Sequence, residues 1–259
     1  MRTEQFDFPG AAGQKLSGAI DLPDGEVCAY ALFAHCFTCT KSSLATVRIS
    51  RALAARGIAV LRYDFTGLGA SEGEFGASTF SGNVGDLLAA AHAMTGAGRD
   101  VTLLIGHSLG GAAVLAAAGG LSQVKAVATI GAPLEVGHVK RLFGDNLEQL
   151  LREGEASVSI GGRPFVMRRS FIDDLEKHDQ SERIHKLKRP LLVMHAPLDQ
   201  TVSIDNAGSI FAAALHPKSF VSLDRADHLL TDARDAQYCA DMIATWASRY
   251  VSAMPSLAQ

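Results

Sequence analysis

The 259-residue chain holds no apolar run approaching the roughly 20 residues needed to cross a bilayer, so a membrane span is excluded as its organising element. Its opening residues, Met1 to Asp7, lack the basic-then-apolar order of a secretory leader, and a cytoplasmic location is expected. Neither sign of charge dominates: 24 Lys and Arg stand against 27 Asp and Glu, a net charge of -3. With the basic residues scattered, nucleic acid and anionic membrane are not expected as partners. Internal repeats and low-complexity tracts are absent, which argues against a solenoid or a disordered array. Gly67-x-Gly69 lacks the third glycine of a dinucleotide fingerprint, and no helix opens directly behind it.

Cysteine is scarce, at four residues. In a cytoplasmic protein these are expected to stay mostly reduced. Cys36-x-x-Cys39 has the spacing of a redox dithiol or of half a zinc site, but no second Cys pair or His-x-x-x-His partner exists to complete a metal centre. No metal and no cofactor are expected. The two thiols are read as small apolar fillers, with a redox pair as the alternative.

What is present is enough apolar sequence, 47% of residues, to bury one large α/β core, so 1–259 is read as a single domain. Strands are predicted at Gln5 to Phe8, Lys15 to Asp21, Ala29 to His35, Ile58 to Tyr63, Val101 to Ile105, Val124 to Ile130, Leu191 to His195 and Ser219 to Leu223. The later ones are continuous apolar runs, the mark of a parallel sheet covered on both faces. Helices are predicted between them at Ala45 to Arg56, Val84 to Thr95, Leu109 to Ala118, Ile204 to Ala214 and Ala233 to Tyr250. The expected fold is a mostly parallel eight-stranded sheet with helices on both faces. Alternation stops between Pro133 and Arg189, and a small cap insertion is placed at about 134–188.

Gly106-His107-Ser108-Leu109-Gly110 is a G-x-S-x-G pentapeptide that follows the run Val101 to Ile105 and opens the small-residue stretch Gly111 to Gly120. Strand, tight turn and helix in that order make it a candidate nucleophile elbow. Ser108 would sit at a strained turn, where glycines two residues away on either side remove collisions with the helix.

A serine hydroxyl alone is a poor nucleophile and needs a base oriented by a third group. With this elbow, the acid and then the histidine follow the serine along the chain. Asp199 comes in the loop after the run Leu191 to His195, and His228 in the loop after Ser219 to Leu223. Glu135, just past Val124 to Ile130, is the rival acid. Among the other histidines, His107 neighbours the nucleophile and is a poor base, and His195 reads as packed or supporting. His92, His138, His178, His185 and His216 carry no partner pattern.

His35 opens the segment His35-Cys36-Phe37-Thr38, which follows the strand Ala29 to His35 where elbow hydrolases place an oxyanion-binding loop. The backbone N–H groups of Phe37 and Leu109 are the two predicted oxyanion donors.

Together these segments resemble the serine-dependent alpha/beta hydrolases over nearly the whole chain. His35-Cys36-Phe37 resembles that superfamily's His-Gly-Phe loop, and Asp64 to Ser71 resembles its Asp-x-x-Gly-x-Gly-x-Ser turn. Cys36 departs from the usual glycine, which affects the width of the oxyanion pocket. More narrowly, His-Cys-Phe-Thr-Cys with Asp-Phe-Thr-Gly-Leu-Gly is similar to the hydrolase half of bacterial fusions carrying an OsmC-type peroxide-reducing domain. That resemblance implies a small esterase, with an OsmC-type domain or a second copy of the chain as a partner.

In the cap, Arg163, Arg168, Arg169, Phe143, Phe165 and Phe171 are the side chains able to shape an acyl pocket or recognise a charged group, or else to pack and solvate a helical lid. Phe143, Phe171 and His35 are taken as candidate substrate contacts. The expected activity is a carboxylesterase on small or short-chain acyl esters through an acyl-enzyme. Thioesterase, peptidase or perhydrolase activity would use the same machinery, and a non-catalytic binding module or a Cys36-Cys39 redox module are the other classes.

Overall fold

The protein's structure, a computed structural model that describes residues 1–160 and 162–251, sends alternate residues of each apolar run to opposite sides of one sheet. In Ala29–Ala34, Leu32 and Ala34 join one buried cluster while Ala31 and Phe33 join the other, as the two-residue period of an extended chain requires. Burial on both sides is why such strands read as unbroken apolar runs.

Eight strands form the sheet: β1 (Arg2–Gln5), β2 (Gly18–Leu22), β3 (Ala29–Ala34), β4 (Ile58–Tyr63), β5 (Val101–His107), β6 (Ala126–Ile130), β7 (Leu191–His195) and β8 (Lys218–Ser222). Their spatial order is β1-β2-β4-β3-β5-β6-β7-β8. Strands β3 to β8 run parallel, and β1 and β2 pair antiparallel at one edge. Helix α1 (Leu44–Ala55) and the helix Ala233–Val251 cover one face. Helices α2 (Phe80–Gly96), α3 (Leu109–Ala117) and Asp205–Ala213 cover the other. This is the α/β-hydrolase fold.

The strand order places the site. From β3 the chain passes through α1 to β4, then through α2 to β5 on the other side of β3. The loops leaving β3 and β5 therefore diverge around a crevice at the carboxyl edge of the sheet, the usual ligand position in open parallel sheets. Ala34 and Gly106 stand level in the register, so His35-Cys36-Phe37 and His107-Ser108-Leu109 emerge side by side.

Several expected boundaries move: Lys15 to Asp21 divides into Lys15–Leu16 and Gly18–Leu22, and other strand ends shift by one or two residues. The predicted strand Gln5 to Phe8 divides, with Arg2–Gln5 pairing to β2 and Phe8–Pro9 pairing to Lys15–Leu16. Helix α2 begins at Phe80 rather than Val84, because Thr79 Oγ1 accepts the Gly82 N–H at 2.9 Å and Phe80 is fully buried. An N-cap hydroxyl and one anchoring ring outweigh the low helix preference of Ser81, Gly82 and Asn83.

The insertion between β6 and β7 is less helical than expected. A 3-10 segment Val136–Phe143 and a helix Asn146–Glu153 lead into an antiparallel hairpin, Glu155–Ile160 with Arg163–Arg168, followed by the short helices Arg169–Leu175 and Gln180–His185. Ala156, Val158 and Ile160 are buried while the residues between them are exposed, a strand period inside a segment for which a helical lid is one of the expected readings. The cap is fastened to the body by Ser81, whose N–H and Oγ both donate to Asp174 at 2.7 Å, and by Gln180 Nε2, which donates to the Ala112 carbonyl at 2.8 Å. No helix among the described residues is long and apolar enough to cross a membrane.

Candidate active site

Ser108 lies between β5 and α3 with φ 55° and ψ -125°, a backbone region that costs a residue bearing a Cβ. Its N–H donates to the Ile130 carbonyl at 2.9 Å, and its carbonyl accepts the Gly111 N–H at 2.8 Å, so the turn is held from both sides. The flanking glycines are sterically required. A Cβ on Gly110 would strike the carbonyl oxygens of Ala34 and His35, and one on Gly106 would strike the backbone of Gly110.

The strands β7 and β8 deliver the other two groups. His228 Nε2 accepts the Ser108 Oγ–H at 2.9 Å, and His228 Nδ1–H donates to Asp199 Oδ2 at 2.7 Å. Asp199 uses its second oxygen to accept the Thr201 and Val202 N–H groups at 2.8 and 2.9 Å. Burial pushes the Asp199 carboxyl up. The hydrogen bonds from His228 and the two amides, with the field of the His228 ring, outweigh that and hold it below the usual carboxylate value. Glu135, the rival acid, makes no hydrogen bond to His228.

Neighbouring histidines support this chain rather than extend it. His107 Nε2–H donates to the His228 carbonyl at 2.7 Å, and His195 Nε2–H donates to the Val202 carbonyl at 2.8 Å. The loop around His228 is further organised by Asp227, which accepts the Leu229 N–H at 2.8 Å and the Thr231 hydroxyl. Asp227 was not singled out from sequence, although an Asp directly before a loop residue is the signal of a self-bonded turn.

The loop after β3 carries a feature contrary to expectation: Cys36 and Cys39 are joined in a disulfide rather than packed as free thiols. The Cys39 N–H donates to the Cys36 carbonyl at 3.1 Å, a turn that brings the two side chains together with only Phe37 and Thr38 between them. Composition and expected compartment carried no information on that local closure. Behind the loop, Asp64 Oδ1 accepts the Lys41 N–H at 2.6 Å while Lys41 Nζ pairs with Oδ2, and Arg62 donates to the Lys41 carbonyl at 2.8 Å. The Phe37 N–H has no acceptor among the described residues, and Leu109 N–H belongs to the unpaired first turn of α3.

A cavity of about 400 Å³ opens above Ser108 and His228. Cys36, Phe37 and Cys39 form one wall, Leu142, Ile160 and Arg163 of the cap another, and Thr201 and Leu229 close it. Phe143 and Phe171 do not line it. Both are buried beneath it, Phe171 stacked on Phe37 with ring centroids 5.0 Å apart and Phe143 edge-on to Phe171 at 6.3 Å. Their size and apolarity suit the cap core, and the smaller Leu142 and Ile160 face the space. His35 is also buried, with Nδ1–H donating to the Cys36 carbonyl at 2.8 Å, and borders a separate small cleft behind Phe37 and Leu109. Burial lowers its ring to about 4. Among the described residues no cluster of three or more His, Cys, Asp or Glu is placed to hold a metal ion.

A parallel α/β sheet with a Ser, His and Asp hydrogen-bonded above its carboxyl edge defines a hydrolase scaffold. Residues 31–255 match the model of the alpha/beta hydrolase family, and the chain belongs to that family. No curated protein matches it. Among solved structures, the esterase domain of a Rhodothermus marinus protein is 48% identical, with a TM-score of 0.81 over 97% of this chain and 100% of that one. Est1E from Butyrivibrio proteoclasticus with ferulic acid bound is 20% identical, with a TM-score of 0.78 over 93% of this chain and 98% of that one. A dienelactone hydrolase from Anabaena variabilis is 17% identical, with a TM-score of 0.69 over 97% and 100% of the two chains. The last two share the fold.

Proposed function

We propose that the protein is a serine-dependent carboxylesterase acting on small or short-chain acyl esters. The observation that carries this reading is the continuous hydrogen-bond chain from Ser108 through His228 to Asp199, with lengths of 2.9 and 2.7 Å. Its 48% identity to an esterase domain favours esters among the substrates open to this machinery.

Ser108 Oγ attacks the ester carbonyl carbon while His228 Nε2 takes the hydroxyl proton. Asp199 holds the imidazole in the Nδ1–H tautomer and stabilises its positive form. The carbonyl oxygen becomes an alkoxide held by the N–H groups of Phe37 and Leu109, each donor contributing about 3 kcal/mol. Collapse of this intermediate breaks the bond to the alcohol oxygen, which leaves with the proton from His228. Water, deprotonated by the same ring, then releases the acid from Ser108 through a second alkoxide. A cavity of about 400 Å³ suits a short acyl chain better than an extended one.

Fluorophosphonate labelling followed by peptide mass mapping tests the nucleophile, and a series of acyl esters and thioesters of graded length tests the substrate class. The expected outcome is a single label on Ser108 and fastest turnover on short oxygen esters. An unlabelled Ser108 in folded protein, with no ester turned over, refutes the reading.

A further inference from the structure

Among the described residues lining the cavity, Arg163 is the one formally charged side chain, and the rest present apolar surface and the hydroxyl-bearing Thr38, Thr40, Ser43 and Thr201 beside Ser108 and His228. Asp199, the nearest carboxylate along the hydrogen-bond chain, lies behind the His228 ring with its side chain 2% exposed and does not reach the lining.

Two other cap arginines are neutralised, Arg168 by Glu74 at 2.7 Å and Arg169 by Asp173 at 3.5 Å, and Arg141 and Arg183 are not among the residues lining the cavity. Arg163 has no carboxylate partner among the described residues. Its guanidinium donates to the Thr38 carbonyl and lies over the Phe165 ring, 5.3 Å from the centroid. A carbonyl and a ring face orient the group, but neither cancels its charge, and a guanidinium has five N–H donors of which this contact uses one.

Position adds to charge. Arg163 opens the second strand of the cap hairpin opposite Ile160, and its bond to Thr38 spans from the cap to the loop that carries Phe37. An acyl group bound to Ser108 therefore shares its cavity with an oriented, uncompensated cation, reached across the apolar wall of Phe37, Leu142 and Ile160.

We propose that Arg163 is a carboxylate-recognising residue, and that the site takes esters whose acyl part ends in a carboxylate, such as hemiesters of short dicarboxylic acids. The apolar wall accommodates the methylene spacer, and the planar fork matches a carboxylate in two-point contact. This rests on Ser108 being the nucleophile. Arg163 is itself exposed, so the gain over an ordinary surface ion pair comes from its orientation and the two-point, charge-assisted contact, and an approximately tenfold preference is expected.

The test compares the 4-nitrophenyl hemiester of glutaric acid with its terminal-amide analogue, which has the same shape without the charge. In the wild-type protein kcat/KM favours the anionic ester about tenfold, mainly through KM, and the preference shrinks in 0.5 M salt. In Arg163→Gln the ratio between the two esters falls to near one, in Arg163→Lys it is partly restored, and in Arg168→Gln it stays at the wild-type value. A merely structural role for Arg163, bracing the loop through Thr38, slows both esters together and leaves the ratio unchanged, which overturns the proposal. So does a wild-type ratio near one.

Calorimetric titration separates this from the nucleophile reading. Monomethyl glutarate and its amide analogue are titrated into Ser108→Ala, with and without Arg163→Gln, and charge selectivity is read without turnover. Selective binding that disappears with Arg163→Gln supports the subsite even where no ester is hydrolysed, and equal binding of both ligands refutes it.

Discussion

The imidazole of His107 donates its Nε2–H to the backbone carbonyl of His228 at 2.7 Å, with the two ring centroids 5.3 Å apart. The residue beside Ser108 thus anchors the main chain of the residue that bonds the Ser108 hydroxyl. Burial, aided by the nearby His228 ring, lowers His107 to about 4 from 6.5, and burial lowers His35 likewise. Between those values the unfolded chain binds protons that the folded protein refuses, so this contribution is complete above about pH 6.5 and is lost as pH falls towards 4. We expect the urea midpoint to fall between pH 7.5 and pH 5, with each ring contributing on the order of 2 kcal/mol. Unfolding titrations of His107→Gln, which keeps a side-chain donor, should show a shallower dependence, and a slope equal to wild type would remove His107 from this account.

The positive φ of Ser108 separates a functional requirement from a stability requirement. Ser108→Ala is expected to lower kcat by about four or more orders of magnitude with the fold retained. Ser108→Gly should be equally inactive but more stable than the alanine variant by about 1 kcal/mol, because glycine accepts this backbone without a Cβ penalty. Circular dichroism melts of the two inactive variants decide it, and an alanine variant as stable as the glycine one contradicts the strain assignment.

Asp199 and Glu135 are the two acids the sequence left as candidates, and geometry separates them. Asp199→Asn should reduce kcat by about ten-thousandfold, since an amide there favours the wrong imidazole tautomer. Glu135→Gln should leave kcat within twofold. Steady-state kinetics on a short 4-nitrophenyl ester measures both, and the reverse pattern would transfer the role to Glu135.

The disulfide makes a countable prediction. With Cys28 exposed and Cys239 buried, the native unreduced protein should take up one iodoacetamide and the reduced native protein three. Burial also raises the Cys239 thiol to about 12, which keeps it unreactive. Closing so short a loop contributes about 2 kcal/mol, so Cys36→Ser with Cys39→Ser should lower the unfolding free energy by no more than that. Intact-mass spectrometry counts the labels, and uptake of three without reductant would show that the bond does not form.

How much was legible depended on how local the cause was. The largely apolar segments Ile58–Tyr63, broken only by Arg62, and Leu191–His195 specified their strands to the residue, because short β-rich apolar sequence covered on both faces favours a parallel strand. Gly106 and Gly110 marked the elbow, and the order of Ser108, Asp199 and His228 marked three loops at one sheet edge. The cap resisted this reading. Its strand Glu155–Ile160 is short and half polar, and which of Leu142, Phe143, Ile160, Arg163 and Phe171 faces the cavity depends on docking against α2 and α3.

The sequence by itself determined the fold, the strained serine and the two loops that serve it, since these follow from periodicity, glycine sterics and strand order acting over a few residues. Tertiary structure alone decided that Asp199 rather than Glu135 meets His228, that His107 supports His228 from behind, that Cys36 closes on Cys39, and that Arg163 lines the cavity with no carboxylate partner among the described residues. Each of these depends on distances between side chains, most of them far apart along the chain, and those distances are set by packing in three dimensions rather than by any local pattern.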